Sequence, residues 1–329
     1  MAICTSPRDA WTHHELKENG KKLIVHRLPT NILNFEYTPL PCKKCLDCRL
    51  DHARQWAVRS MHESSIWDSN CFITLTYENP FLPLVEGTNL GTLVKKDPRD
   101  YERFMKRLRK HCEGEKDIIF KGERINPIRF YHCGEYGDKN GRPHYHASIF
   151  NYNFPDQFQI GVSKSGHPLF TSKALLDLWP FGIATIQSFT FETAGYVSRY
   201  CTKKINGEMA ESHYAAIDVS TGEVLGSRLP EYATMSRRPG IASIWFDKYK
   251  SDVYPDDFVV MLSKNGKGFP MKPPSYYDAL FEVDSPEIFK EIKAARAIKA
   301  KQFDKRTTKQ LDDRAVITKQ RYSKLIRSL

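Results

Sequence analysis

Long hydrophobic runs are absent from this chain: no apolar stretch approaches the ~20 residues that a helix needs to span a bilayer. No basic stretch followed by an apolar region opens the chain, as a secretory signal peptide would. We therefore expect no membrane association and a cytoplasmic location. A Walker-type phosphate loop is also missing, so the sequence gives no sign of an ATP-driven motor.

Acidic residues are outnumbered. Lys and Arg total 50 against 39 Asp and Glu, a net charge of +11. A basic surplus favours polyanionic partners through counterion release, so nucleic acid is the expected partner. With 329 residues, of which 40% are hydrophobic, the chain is long enough to bury a sizeable core as one large domain or two smaller ones.

Cysteine is uncommon, with eight in the chain, and in a soluble intracellular enzyme these are thiols or metal ligands rather than disulfides. Cys42, Cys45 and Cys48 form a CxxCxxC run, and Cys4 would supply a fourth thiolate to a tetrahedral, structural zinc site. His52 is an alternative fourth ligand. The spacing fits iron–sulfur patterns less well, because no Cys-Pro follows. Reduced thiols without a metal are the other alternative.

Two histidines share a strand within the motif at residues 134–146. Side chains alternate across a strand, so His144 and His146 point to one face while Tyr145 points to the other. Two imidazoles with positions left open suit a catalytic divalent cation better than a closed structural one. The alternative is a hydrogen-bonded histidine pair on a polar face.

A hairpin is predicted around these histidines. Residues 138–143 are rich in Gly, Asn, Asp and Pro, which predicts a loop between antiparallel strands at roughly 127–136 and 144–150. Glu135 then returns beside the histidines as a third ligand. Its assignment depends on the cross-strand register, since a slip of one residue would turn its side chain to the other face.

A pair of tyrosines lies about fifty residues downstream. Tyr196 and Tyr200 are four residues apart, a spacing that places both on one face of a helix. Arg199 and Lys203 follow on the same predicted helix, and cations beside a tyrosine bind phosphate and favour the phenolate. An aromatic stripe packed on a core is the alternative. With the metal motif, the pair indicates attack of a tyrosine on a phosphodiester, leaving a 5'-phosphotyrosine and a free 3'-hydroxyl.

The order of these motifs resembles that of the HUH endonucleases, in which a His-hydrophobe-His strand precedes a tyrosine helix in rolling-circle initiators. The chain is most similar to the replication initiation proteins of gokushoviruses and related microviruses, small phages with circular single-stranded DNA genomes. Five segments carry the resemblance, and they are residues 41–49, 72–77, 134–146, 195–204 and 235–241.

The resemblance implies His144 and His146 as ligands of Mg²⁺ or Mn²⁺, and Tyr196 and Tyr200 as nucleophiles that alternate in cleavage and rejoining. Lys203 stands three residues after Tyr200, a spacing found in many rolling-circle initiators, where the lysine steadies the scissile phosphate. This spacing favours Tyr200 as the first nucleophile.

The implied activity is therefore DNA nicking with strand transfer and ligation, without ATP. Single-stranded and replicative-form phage DNA are the implied partners, with a host helicase and polymerase, in the host cytoplasm.

The expected fold is α+β, with a central mostly antiparallel sheet, packed helices and a less regular C-terminal region. Apolar spacing predicts helices at 50–67 and 98–112, and strands at 71–77 and 183–190. Four segments are expected: an N-terminal arm with the cysteines (1–67), an HUH-type nuclease core (68–206), an accessory region (207–286) and a basic, helical or partly disordered tail (287–329).

Rival functions are also consistent with parts of the sequence. A non-catalytic single-stranded nucleic-acid-binding protein explains the charge and the aromatic residues, but not the joint occurrence of the histidines, the carboxylate and the tyrosines. A zinc-dependent hydrolase would use water and make both tyrosines dispensable. A plasmid or transposon enzyme keeps the chemistry, but the cysteine run and residues 235–241 argue against it.

Overall fold

The computed structural model describes residues 4–16, 22–94, 100–112, 118–138, 140–163, 166–200, 204–205, 209–218, 220–263, 265–303 and 307–327. The chain divides into two compact units, of which the first comprises Met1–His52 and Lys290–Leu329 and the second Ala53–Phe289.

The regular elements follow in chain order. The strands are β1 (Trp11–Leu16), β2 (Lys22–Val25), β3 (Phe35–Tyr37), β4 (Asn70–Thr76), β5 (Ile118–Phe120), β6 (Glu123–Ile125), β7 (Arg129–Tyr136), β8 (Pro143–Phe150), β9 (Phe158–Val162), β10 (Pro168–Thr171), β11 (Ala184–Ser188), β12 (Ala215–Ile217), β13 (Val224–Ser227), β14 (Tyr232–Met235), β15 (Val259–Leu262) and β16 (Gly268–Met271). The α-helices are α1 (Leu46–Ser64), α2 (Asp100–His111), α3 (Lys173–Leu178), α4 (Phe191–Tyr200), α5 (Met209–Tyr214), α6 (Ser243–Val253), α7 (Ser275–Asp284), α8 (Pro286–Phe303) and α9 (Thr308–Arg327).

A seven-stranded sheet in the order β14-β7-β8-β4-β11-β10-β9 is the centre of the second unit. Every neighbouring pair in it is antiparallel. The expected α+β architecture with an antiparallel sheet and packed helices is confirmed. Strand β14 is an edge strand of this sheet, although the weak sequence pattern beyond residue 206 does not predict a strand there.

One face of the sheet forms the main hydrophobic core. Ile73 and Leu75 of β4 and Tyr145 of β8 are fully buried on this face, as the alternation of apolar residues along each strand requires. Helix α2 packs there through Tyr101, Phe104, Met105 and Leu108, which recur at helical spacing. Each such side chain contributes about 1.5–3 kcal/mol on burial, so this face fixes the position of β4 and β8.

The first unit contains a small antiparallel sheet in the order β2-β1-β3. At the start of α1 the buried carboxylate of Asp47 accepts hydrogen bonds from Arg314 and Thr318 of α9. This helix begins four residues before the predicted position, at Leu46. None of the helices in the described part of the chain is long and apolar enough to cross a membrane.

Candidate active site

The register between β7 and β8 brings a carboxylate to the two histidines. Glu135 is paired directly with His144, and Cys133 with His146, so the side chains of all four point to the same face. This is the face opposite Tyr145 and the hydrophobic core. The register that the sequence leaves open therefore places Glu135 on the histidine side.

The turn between the two strands is closed by backbone hydrogen bonds. The amide of Gly137 donates to the carbonyl of Arg142, and the amide of Gly141 donates to Gly137, both at 2.9 Å. Gly141 has φ of +56°, and a Cβ there would lie 3.2 Å from the guanidinium of Arg228. The turn therefore requires glycine at position 141 both for its backbone conformation and for space.

Three ligand atoms converge at this place. Oε1 of Glu135 lies 2.7 Å from Nε2 of His144 and 2.9 Å from Nε2 of His146. One ligand atom from each residue lies within 4.8 Å of the other two. Glu135 is 1% exposed and His146 is 5% exposed, while His144 is partly exposed, so solvent and substrate have access from the His144 side.

The outer nitrogens of both histidines are held by hydrogen bonds. Nδ1 of His144 lies 3.1 Å from the carbonyl oxygen of Arg142, which can only accept, so Nδ1 carries a proton. The neutral imidazole then presents a lone pair at Nε2 toward the carboxylate, an arrangement that a cation between them satisfies. Nδ1 of His146 lies 2.9 Å from the hydroxyl of Thr74 on β4.

The carboxylate is stabilised in its charged form. Burial raises the pKa of Glu135, but hydrogen bonds from His144 and His146 outweigh it, and the pKa lies below its usual value. An anionic oxygen with two imidazole nitrogens is a mixed donor set that suits Mg²⁺ or Mn²⁺ with open positions. The residues present therefore fit a divalent cation.

Helix α4 packs against β7 and β8 on the histidine face. Its start is fixed by Thr190 and Thr193, because each hydroxyl accepts a hydrogen bond from the other residue's backbone amide. Tyr196 then lies edge-on to His146, with ring centroids 5.0 Å apart and planes at 89°. Phe72 of β4 contacts both rings. The structure thus brings one predicted nucleophile beside the predicted metal ligands.

The rest of the tyrosine motif is only partly described. Tyr200 is the last residue of α4, and its side chain lies outside the described residues, as does the whole of Lys203. Roles for these two residues stay predictions. No sequence pattern assigns a role to Thr74 or to the Arg142 carbonyl. The period-two alternation of β4 places Thr74 on a polar strand face, but only tertiary pairing puts it beside His146.

The four predicted cysteine ligands also come together. One sulfur from each of Cys4, Cys42, Cys45 and Cys48 lies within 4.8 Å of the others, and His52 is not in this group. The amides of Lys44 and Cys45 donate to Sγ of Cys42 at 3.4 and 3.1 Å, and the amide of Cys42 donates to Sγ of Cys4 at 3.2 Å.

The protonation of these cysteines is uneven. Burial raises the pKa of Cys4. Burial also acts on Cys45, but hydrogen bonds from the chain around Cys48 and Thr5 outweigh it and lower its pKa to about 6. Several thiolates this close repel one another, and a bound cation would remove that repulsion.

The site and fold agree with comparisons to known proteins. The family model for the ORF2 type of replication-associated protein matches residues 70–205, which include β4, the Glu135 group and α4. The chain is 32% identical over 276 residues to replication-associated protein VP4 of Bdellovibrio phage phiMH2K, a match covering 83% of this chain and 78% of the relative.

Two further relatives match. Replication-associated protein ORF2 of Spiroplasma virus 4 is 31% identical over 278 residues, covering 82% of this chain and 78% of the relative. Replication-associated protein ORF4 of Chlamydia phage 1 is 31% identical over 173 residues, covering 50% and 38%. No solved structure matches. Fold and relatives together define a replication-associated protein of the ORF2 class. Within that class, the chain belongs to the family of phage replication-associated proteins that these relatives represent.

Proposed function

We propose that this protein initiates replication of a circular single-stranded DNA phage genome, as an HUH-type endonuclease and strand transferase that nicks the origin through a tyrosine. The observation that carries the proposal is the contact of Tyr196 with His146, which shares the Glu135 carboxylate with His144. A nucleophile and a set of cation ligands on one sheet face are what the reaction needs.

Glu135, His144 and His146 would hold Mg²⁺ or Mn²⁺. When bound, the cation would act as a Lewis acid on a phosphate oxygen and favour the charge that develops in the transition state. Thr74 and the Arg142 carbonyl keep the imidazoles oriented, because each occupies an Nδ1 atom and leaves Nε2 toward the carboxylate.

The covalent step is a transesterification. The tyrosine oxygen attacks phosphorus and forms the new O–P bond, while the bond from phosphorus to the 3'-oxygen breaks. The tyrosine loses its proton and the departing 3'-oxygen gains one, so the products are a 5'-phosphotyrosine and a 3'-hydroxyl. Attack of a 3'-hydroxyl on the phosphotyrosine reverses the step and closes the circle without ATP.

Two tyrosines allow cleavage and rejoining to alternate. One holds the 5' end of the genome while the other cuts the regenerated origin. The contact with His146 supports Tyr196 as the first nucleophile, whereas the spacing to Lys203 supports Tyr200. Variants of each tyrosine decide between them, as described below.

The partners in this proposal are single-stranded and replicative-form phage DNA in the host cytoplasm. Duplex unwinding and strand synthesis would come from a host helicase and polymerase. The basic surplus of the chain favours the DNA partner electrostatically.

We further propose that Cys4, Cys42, Cys45 and Cys48 hold a structural zinc ion. Four thiolates with no other donor leave no open position for substrate, which is typical of structural zinc. The amide donors to Sγ of Cys42 and Cys4 support the thiolate form of these ligands. Zinc would tie the segment around Cys4 to the start of α1.

The test is a covalent adduct. The protein is incubated with end-labelled single-stranded DNA that covers its own genome, with Mg²⁺ or Mn²⁺ or with a chelator, and the products are separated under denaturing conditions. We expect a metal-dependent adduct on the 5' side of the break. It should be lost in the double variant Tyr196→Phe, Tyr200→Phe and kept in Tyr249→Phe, a tyrosine of α6.

The single tyrosine variants show which residue cuts first, because only the first nucleophile is needed for one round on linear DNA. Cleavage retained by the double variant would replace the covalent mechanism with metal-dependent hydrolysis. Binding with neither adduct nor cleavage on any genomic substrate would favour the non-catalytic single-stranded nucleic-acid-binding protein.

A further inference from the structure

A cleft of about 360 Å³ lies in the second unit, away from the Glu135 group. It is formed by the β5–β6 hairpin and by the turn at residues 236–240 that follows β14. The residues lining it are Phe120, Lys121, Glu123, Ile125, Arg237, Arg238 and Pro239. We refer to it as the arginine cleft.

The charge of the arginine cleft comes from its two arginines. Arg237 and Arg238 are both exposed, and neither side chain makes a hydrogen bond or ion pair within the described part of the chain. Lys121, in contrast, is 2.9 Å from Asp247 and is largely neutralised. Two adjacent guanidinium groups that have no protein partner are suited to bind phosphate oxygens.

The turn that carries these arginines is held rigidly. The fully buried guanidinium of Arg129 donates to the carbonyls of Pro239 and Gly240, at 3.0 and 3.1 Å. Its Nε is 2.5 Å from Glu63, whose other oxygen accepts from the amide of Ala242. A buried ion pair costs desolvation energy and fixes one conformation. The backbone below the two arginines is therefore preorganised, which lowers the entropic cost of binding.

Further contacts attach the turn to its surroundings. Ser236 exchanges two hydrogen bonds with the backbone of Phe130 on β7. A Cβ on Gly240 would collide with the ring of Tyr276. The turn is therefore packed against the protein on one side and exposes its arginines on the other.

The cleft also provides an aromatic surface. Phe120 is only partly buried and forms one wall, beside the exposed carboxylate of Glu123. An aromatic face stacks on any base, and a carboxylate accepts a hydrogen bond from a base amino group but repels a bare phosphate. The combination of two arginines, a phenyl ring and a carboxylate suits a nucleotide rather than an inorganic anion.

The position of the arginine cleft fits a DNA strand that also reaches the active site. Arg129 and Glu135 lie on the same face of β7, because residues at even spacing share a face. The contact of Ser236 with Phe130 is five residues before Glu135, which corresponds to about 17 Å along a strand. At 3.4 Å per stacked nucleotide that distance is about five nucleotides.

We infer that the arginine cleft binds the backbone and one base of single-stranded DNA about five nucleotides from the cleavage position. The inference rests on the proposed function for the identity of the ligand, but not for its chemistry, because binding is measured without cleavage.

The experiment measures the affinity of the full-length protein for fluorescent single-stranded DNA in chelator, at several salt concentrations. In Arg237→Ala, Arg238→Ala we expect binding at least about tenfold weaker, with a logarithmic salt dependence less steep by about 1.4, since two phosphate contacts are lost. The matched control is Lys267→Ala, Lys272→Ala, which removes the same charge from exposed residues of the same unit. It should remain near the wild type.

Two further measurements make the result specific. Phe120→Leu keeps the apolar bulk of the side chain and removes the ring, and it should weaken binding at least about fivefold with an unchanged salt dependence. Oligonucleotides too short to extend about five nucleotides from the cleavage position should bind and be cleaved equally by wild type and arginine variant.

The arginine variant binding long DNA as tightly as its lysine control would overturn the inference, even if the adduct forms normally. The opposite result, weaker binding in the arginine variant with no adduct in the wild type, would retain the arginine cleft and remove the nicking function.

Discussion

Oε1 of Glu135 and Nε2 of His144 lie 2.7 Å apart at a directly paired position of β7 and β8. The pairing means that the backbone register, and not a flexible side chain, decides their proximity. His146 joins them from the next position on the same face. The cation site is therefore built from the sheet itself, which is a rigid support for a catalytic group.

Removing the charge of Glu135 should abolish metal-dependent cleavage while the fold remains. Glu135→Gln has nearly the same size, but its amide is a weak ligand for a hard cation. We expect adduct formation to fall at least roughly a hundredfold, with affinity for Mn²⁺ reduced in parallel. Titration calorimetry with Mn²⁺ and the denaturing gel measure the two effects, and circular dichroism checks the fold. Full activity would show that the carboxylate is not a ligand.

Thr74 should affect the metal without touching it. Thr74→Val keeps the shape of the side chain and removes the hydroxyl that holds Nδ1 of His146. Loss of such an orienting partner typically lowers metal affinity about 10- to 100-fold, so the variant should recover activity at high Mn²⁺. Thr185→Val on the neighbouring strand β11 is the control. A defect that saturating metal leaves unchanged would assign Thr74 a role other than orienting His146.

Zinc should copurify with the protein at one ion per chain. Elemental analysis measures the metal, and Cys45→Ser should lose it, whereas Cys112→Ser, outside the group of four, should keep it. A chelator should lower the melting temperature of the wild type, because an ion that binds the folded state alone stabilises it. Absence of zinc in protein purified without chelator would leave the four thiols reduced and metal-free.

His62 should make the protein less stable in acid. Burial lowers the pKa of its imidazole to about 3, from an ordinary value of 6.5, and the ring stacks on Trp245 with Nδ1 2.8 Å from the Tyr277 hydroxyl. Between these two values the unfolded chain is protonated at this residue and the folded chain is not. The contribution of His62 is therefore complete above pH 6.5 and falls by about 1.4 kcal/mol per pH unit down to pH 3.

His62→Phe provides the comparison, because it keeps a ring against Trp245 and cannot take up a proton. Urea unfolding of both proteins from about pH 7.5 to about pH 4 should show a stability difference that shifts in favour of the variant as the pH falls. The same difference at every pH would mean that His62 titrates alike in the folded and unfolded chains.

The buried ion pair between Glu63 and Arg129 should be costly to break from one side. Their side chains are 0% and 2% exposed, so removing one charge leaves the other without a buried counterion. We expect Glu63→Gln to reduce the free energy of unfolding by about 3–5 kcal/mol. The double variant Glu63→Gln, Arg129→Met should lose less than the sum of the two single variants. Additive losses in urea unfolding would show that the two residues are not coupled.

Much of the active site was predictable from local patterns. The alternation around His144 and His146 and the loop residues before them were sufficient to predict the β7–β8 hairpin, because a tight turn and period-two spacing involve only near neighbours in sequence. The spacing of Tyr196 and Tyr200 likewise predicted α4. What the local pattern left undetermined was the register of Glu135, since one residue of slip reverses its face at little local cost.

Long-range relationships were harder to predict. Strand β14 carries no strong strand pattern of its own, and it is recognisable only through its pairing with β7. The contact of Thr74 with His146 spans 72 residues, and the clamp of Arg129 on Pro239 spans 110. Such contacts depend on which strands become neighbours in the sheet, and single-sequence periodicity carries no information on that order.

The sequence by itself determined the chemical groups: the histidine pair, the tyrosines, the thiols, the basic surplus and the local hairpin and helix that carry them. The tertiary structure decided which of these groups meet. It set Glu135 against His144, placed Tyr196 against His146, and fixed the Arg237–Arg238 turn over a buried ion pair. The physical reason is that propensity and alternation act over a few residues, whereas register, strand order and burial are settled by the packing of the whole unit.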